Sequence, residues 1–158
     1  IRSLLLDTSI EDSPNSITEL LLYAADRAQH VNQIIRPSLS KGDWVLSDRF
    51  CGSTLAYQGY GRKLDIKLIK DLEIISTQGI CPDLTFLLDI PVDESIKRRL
   101  NKKDDRMETE GRVFLSDVSQ GFKQLAEENS WKIISALKSK EDIIFEMKYE
   151  IKKLSKTQ

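Results

Sequence analysis

Val45-Leu46-Ser47-Asp48-Arg49-Phe50-Cys51-Gly52-Ser53-Thr54-Leu55-Ala56-Tyr57-Gln58-Gly59-Tyr60-Gly61-Arg62 packs four kinds of chemistry into one short stretch. An apolar run, expected to be a strand, stops at an acid–arginine pair. Small residues follow, then a tyrosine–amide pair, then a glycine-rich turn closed by a second arginine. Arginine binds phosphate through a planar fork of donors, and a neighbouring carboxylate can orient that fork or hold a metal-bound water. In an open α/β sheet, ligands occupy the crevice beyond the carboxyl ends of the strands, which is where this reading puts Asp48 and Arg49. A structural ion pair at a strand mouth is the competing account.

The rest of the chain alternates helix and strand patterns around that stretch. Ser16 with Glu19 three residues later reads as a capping box. Apolar residues then recur at 17, 20, 21, 24, 28, 31, 35 and 39, the period of a helix with one buried face, which Pro37 should bend or break. Trp44 to Ser47 is expected to be a short strand. Asp65 to Gln78 repeats the helical pattern, with Gly79 as its C-cap. Leu84 to Ile90 is nearly continuous apolar sequence, as in a strand covered on both faces. A helix from Pro91-Val92-Asp93 to about Leu100, another from about Glu108 to Glu128, a strand from Trp131 to Ala136 and a terminal helix capped by Ser139 complete the order. Strands alternating with helices predict an α/β fold, a parallel sheet flanked by helices in a single domain over residues 1–158.

The composition narrows the function. The chain has 158 residues, 31% charged and 40% apolar, which suits one soluble domain with a real core. A net charge of -1 provides no global field for nucleic acid or an anionic membrane, so neither is expected as a partner. No apolar run approaches the ~20 residues of a membrane span, and the first residues lack a signal-peptide layout. Cys51 and Cys81 have no metal-ligand spacing and read as free thiols in a reducing, cytoplasmic setting. Ile1 to Asp7 reads as the last turns of a helix already under way, so the chain is expected to be a fragment. Its seven glycines include no pair five apart, so it contains no Walker A loop.

Two further groups bear on a nucleotide. Tyr23 and Arg27 lie four apart, on one helix face that is expected to be offset from the Ile17/Leu21/Ala24/Ala28 stripe. An aromatic face beside a guanidinium suits a planar base and its carbonyls; from this helix alone, a half-buried tyrosine with a surface arginine is the favoured account. Ser53-Thr54 and Tyr57-Gln58, on one short helix or turn, offer hydroxyl and amide groups to a base edge. Gly59-Tyr60-Gly61-Arg62 reads as a mobile connection sooner than a phosphate cradle. Lys97 to Arg106 carries six cationic side chains in ten residues, either a solvated helix end or a lid over a polyphosphate.

Glu19 to His30, Asp48-Arg49-Phe50 with Ser53 through Arg62, Cys81-Pro82-Asp83-Leu84-Thr85 with Leu88-Asp89, and Asp105-Arg106-Met107-Glu108 together resemble the thymidylate kinase family. These are P-loop nucleoside monophosphate kinases, and the resemblance covers about residues 1 to 137 without the N-terminal strand and P-loop. It implies transfer of a phosphoryl group from ATP to dTMP, giving dTDP in dTTP biosynthesis, with Mg2+ and in a homodimer. Position by position it implies that Tyr23 stacks on thymine and that Arg27 hydrogen-bonds the base. Arg49 would hold the acceptor phosphate, with Asp48 beside it near the magnesium, through water. Thr54 and Tyr57 would line the nucleoside pocket, with Gln58 adjacent. The lid would run over about 99–112. The family's lid arginine falls near Asn101, leaving Lys102 or Lys103 to substitute. The chain alone, without a P-loop, is expected to be inactive. Two other functions stay open: a non-catalytic dTMP-binding or scaffold protein, and a kinase for another nucleoside monophosphate.

Overall fold

The computed structural model describes Leu5, residues 14–99, Met107 and residues 110–154. They divide into two compact units, one of residues 1–81 with 104–121 and one of residues 82–103 with 122–158. Apart from Leu5, which is helical and buried, the helix end expected at residues 1–7 lies outside the described residues.

The first unit is helical. Helix α1 spans Ser16–His30 and passes through a π-helical turn, Val31–Ile35, into α2, Arg36–Ser40. Its N-cap is Asn15, whose side chain accepts from the Thr18 amide at 2.9 Å. The expected capping box is therefore not used: Glu19 points inward, fully buried. Pro37 does not break the helix. Proline has no amide and its ring crowds the carbonyl four residues back, here Gln33 inside the π turn. The turn widens there, Arg36 N–H bonding to the Val31 carbonyl five residues back, and the helix continues.

The buried stripe also differs from expectation. Leu20, Val31 and Ile35 are buried, whereas Ile17 and Leu21 are exposed. The inward face thus runs along Leu20, Arg27 and Val31, at helical spacing, with Tyr23 half-buried beside it. Each fully buried leucine, valine or isoleucine stabilises the unit by roughly 1.5–3 kcal/mol.

Trp44 to Ser47 forms no strand. A strand needs a partner for its ladder bonds, and none of the described residues supplies one; Leu46 is 82% exposed. Helix α3, Cys51–Thr54, then runs directly into a π-helix, Leu55–Gly61. This second π-helix is ordered and largely buried, not a loose connection. Its glycines allow close approach: a Cβ on Gly61 would lie 2.5 Å from Phe114 Cε2, and one on Gly121 2.5 Å from the Tyr60 ring. Helix α4, Ile66–Thr77, packs on α1 and starts at Asp65, which accepts from the Lys67 and Leu68 amides. It stops through two left-handed residues, Gln78 (φ 53°) and Gly79 (φ 79°), so the cap falls one residue earlier than Gly79.

In the second unit, β1 (Phe86–Asp89) pairs in parallel with β2 (Lys132–Ser135), Phe86 opposite Lys132 and Asp89 opposite Ser135. Helix α5 (Val92–Arg99) follows β1, and α6 (Arg112–Glu128), inside which the two units divide, leads to β2. A parallel pair requires such a crossover, and the α/β class expected from the alternating pattern is present. Leu88 is 46% exposed, so β1 is not covered on both faces; its described ladder is with β2 alone. Leu125, Ala126 and Ile134 form the buried centre of this unit. Helix α7, Lys140–Leu154, packs on β2. The Ser139 hydroxyl accepts from the Asp142 amide at its start, as expected. Among the described residues no helix is long and apolar enough to cross a membrane.

Candidate active site

All the described candidate residues belong to the first unit. Tyr23 and Arg27 project from successive turns of α1. Arg27 Nη2 donates to the Thr54 hydroxyl at 2.6 Å, and its guanidinium carbon sits 5.0 Å from the centre of the Phe50 ring. One arginine thus ties α1 to the segment that begins at Asp48.

Arg49 reaches the same place by an uncommon backbone route. Its φ of 69° is left-handed, which costs a side chain with a Cβ on the order of 1 kcal/mol. The Ser47 hydroxyl donates to the Arg49 carbonyl at 2.8 Å and helps fix that bend. The guanidinium carbon lies 5.3 Å from the centre of the Tyr57 ring. Burial works against its charge, but the hydrogen bond to Tyr57 and the proximity of Tyr57, Asp48 and Tyr23 hold Arg49 above its ordinary range. It is therefore a permanent cation. Tyr57 leans on Phe114, ring centres 6.2 Å apart at 60°.

Tyr23, Arg27, Asp48, Arg49, Thr54 and Tyr57 are thus drawn into one cluster, although Asp48 and Arg49 sit at a bend and not at a strand end. Gln58 is not part of its open face. It is 2% exposed, and its amide donates to Glu19 Oε1 at 2.7 Å. Lys102, Lys103 and most of the expected lid lie outside the described residues.

Two titratable neighbours, Cys51 and Glu73, were not assigned to the site from the sequence. Burial, with Glu73 and Cys81 nearby, pushes the Cys51 thiol up to about 12 against the pull of Arg27; it stays protonated and is no nucleophile. Glu73, on α4, is raised to about 7 by burial, opposed by Arg27 and Lys70, and its Oε1 is buried with no hydrogen-bond partner among the described residues. The folded state keeps a proton that the unfolded chain releases near its ordinary value. Stability is therefore highest below that value and falls as pH rises through about 7. Glu73→Gln should remove this slope, gaining on the order of 1–2 kcal/mol over the parent between pH 5 and 8. Urea unfolding at both pH values checks it, and parallel curves would refute it.

For magnesium, Asp48 offers one carboxylate, and the described residues hold no group of three or more acidic, histidine or cysteine side chains that would cage an ion. That donor set fits magnesium, which commonly takes one or two carboxylates and fills its octahedron with waters and substrate phosphates.

Comparison with known proteins gives the family. The thymidylate kinase family model matches residues 1–146. Thymidylate kinase of Prochlorococcus marinus (strain NATL2A) is 76% identical over 156 residues, 99% of this chain and 74% of that protein. Thymidylate kinase of Synechococcus sp. (strain CC9605) is 60% identical over 136 residues, 86% of this chain and 65% of that protein. The crystal structure of thymidylate kinase from Ehrlichia chaffeensis superposes with a TM-score of 0.61 at 32% identity, covering 78% of this chain and 59% of that one. The helix-rich α/β chain with its parallel strand pair has the P-loop kinase-like fold anticipated from sequence, and the chain belongs to the thymidylate kinase family, whose members are transferases of nucleotide biosynthesis.

Proposed function

We propose that this chain supplies the dTMP site of an enzyme transferring the terminal phosphoryl group of ATP to dTMP, with release of ADP and dTDP. The observation that carries this is the convergence of Tyr23, Arg27 and Arg49 through Thr54, Phe50 and Tyr57. A ring, a neutral-edge reader and a phosphate fork on one cluster match the three parts of a pyrimidine monophosphate. Tyr23 offers its face to thymine, Arg27 donates to a base carbonyl, and Thr54 and Tyr57 border the sugar.

In the reaction, an oxygen of the dTMP phosphate attacks the γ-phosphorus of ATP while the bond to the ADP oxygen breaks. Little covalent work falls to the protein, which must align two phosphates and offset their charge. Arg49 grips the acceptor phosphate, and Asp48 accepts from a water. A magnesium ion, when bound, neutralises phosphate charge beside Asp48. Lys102 or Lys103 contributes a cation from the lid. We read residues 1–158 as part of one kinase domain acting in the cytoplasm. A homodimer is proposed as well, since α1 exposes Ile17 and Leu21; sedimentation at micromolar concentration reads it directly. Calorimetry with dTMP, dUMP, dGMP and AMP tests the acceptor: dTMP should bind most tightly, and a preference for another monophosphate would redirect the assignment.

A further inference from the structure

Glu19 lies one turn before Tyr23 and two before Arg27 on α1, and its carboxylate is 0% exposed. Among the described residues, donors to it include Gln58 Nε2 at 2.7 Å and Arg62 Nε at 3.4 Å on Oε1, and Arg62 Nη2 at 3.2 Å on Oε2. Arg62 Nη2 is also 2.6 Å from Glu110 Oε1, and its guanidinium carbon is 5.0 Å from the centre of the Phe114 ring. A buried ion pair rarely stabilises a fold more than apolar residues of the same volume would, so this one calls for a role in geometry.

The network joins the two walls of the nucleotide cluster. One wall is α1, with Tyr23 and Arg27; the other is the segment from Cys51 to Gly61, with Thr54 and Tyr57, and Gln58 directly follows Tyr57. The bond from Arg27 to Thr54 also joins these walls, but it uses a guanidinium that the nucleotide itself calls on. When Arg27 turns donors toward a base, that tie weakens. The tie through Glu19 does not, because both Glu19 and Gln58 are sealed in the interior.

We propose that Glu19, with Gln58 and Arg62, is a positioning residue for the acceptor site: it holds the helix of Tyr23 and Arg27 at the distance from Thr54 and Tyr57 that a nucleoside requires. This rests on the dTMP-site function proposed above. The test is steady-state kinetics on the complete, P-loop-containing kinase, with calorimetry of dTMP, for Glu19→Gln and Arg62→Lys. Glutamine keeps the shape of Glu19 and an acceptor for Gln58 but removes the charge that Arg62 grips; lysine keeps the cation and loses the fork. Glu19→Gln should raise the dTMP KM about ten-fold, and Arg62→Lys about three-fold, with the ATP KM within about two-fold of the parent. If Glu19→Gln does not fold, the milder change at the partly accessible Arg62 decides. Unchanged dTMP binding in both variants, or equal losses for dTMP and ATP, would overturn the positioning role while leaving the function standing. A parent protein that fails to bind dTMP would instead remove the function.

Discussion

Arg49→Ala should lower turnover by two decades or more in the active kinase, equivalent to a loss of at least about 2.7 kcal/mol of transition-state stabilisation. The expectation follows from where the side chain is put. A left-handed backbone at φ 69° is not adopted readily by a residue with a Cβ, and here it turns a permanent cation back over Tyr57. Alanine would keep the strain and lose the charge. Lysine would restore a cation without the planar fork, so Arg49→Lys should recover only part of the rate. Rates at saturating dTMP and ATP measure this, and near-parental turnover of the alanine variant would exclude Arg49 from the phosphate grip.

Tyr23→Ala should weaken dTMP binding by roughly 1–3 kcal/mol, a loss of about 5- to 150-fold, as for other aromatic platforms under a base. Tyr23→Phe keeps the ring and should stay near the parent. That contrast separates stacking from any use of the hydroxyl. Tyr23 is half-buried beside the inward stripe of α1 and close enough to Arg49 to influence its charge, as the proposed base and phosphate subsites require. Calorimetry of both variants gives the answer; an unaltered dissociation constant for Tyr23→Ala would take this residue out of the pocket.

What could be read from the sequence was local. The spacing of Tyr23 and Arg27, the helix that begins around Asp65, the Ser139 cap and the strands around Leu87 and Ile133 all depend on neighbours within a few residues. What could not be read depends on partners far along the chain. Glu19 three residues after Ser16 fits a capping box as well as it fits a buried acid, and its actual partners are 39 and 43 residues away. Gln58 was expected to offer its amide to a base edge beside Tyr57; its partner is instead Glu19, 39 residues earlier, and it is buried. Trp44 to Ser47 has strand composition but needs a neighbouring strand to become one. Pro37 signals a break, yet the cost, about 3 kcal/mol in an α-helix interior, is avoided by one wide turn just before it.

The hydrogen-only position at Gly61 reaches further than its own turn. A single methyl there would collide with the edge of Phe114, Phe114 leans on Tyr57, and Tyr57 lies beneath the guanidinium of Arg49. The fork proposed to take the phosphate is therefore backed by a chain of contacts, its guanidinium over Tyr57 and Tyr57 tilted against Phe114, that depends on an atom that is missing. Drift at this glycine would be felt as a tilted anion grip long before it was felt as a loss of substrate contacts.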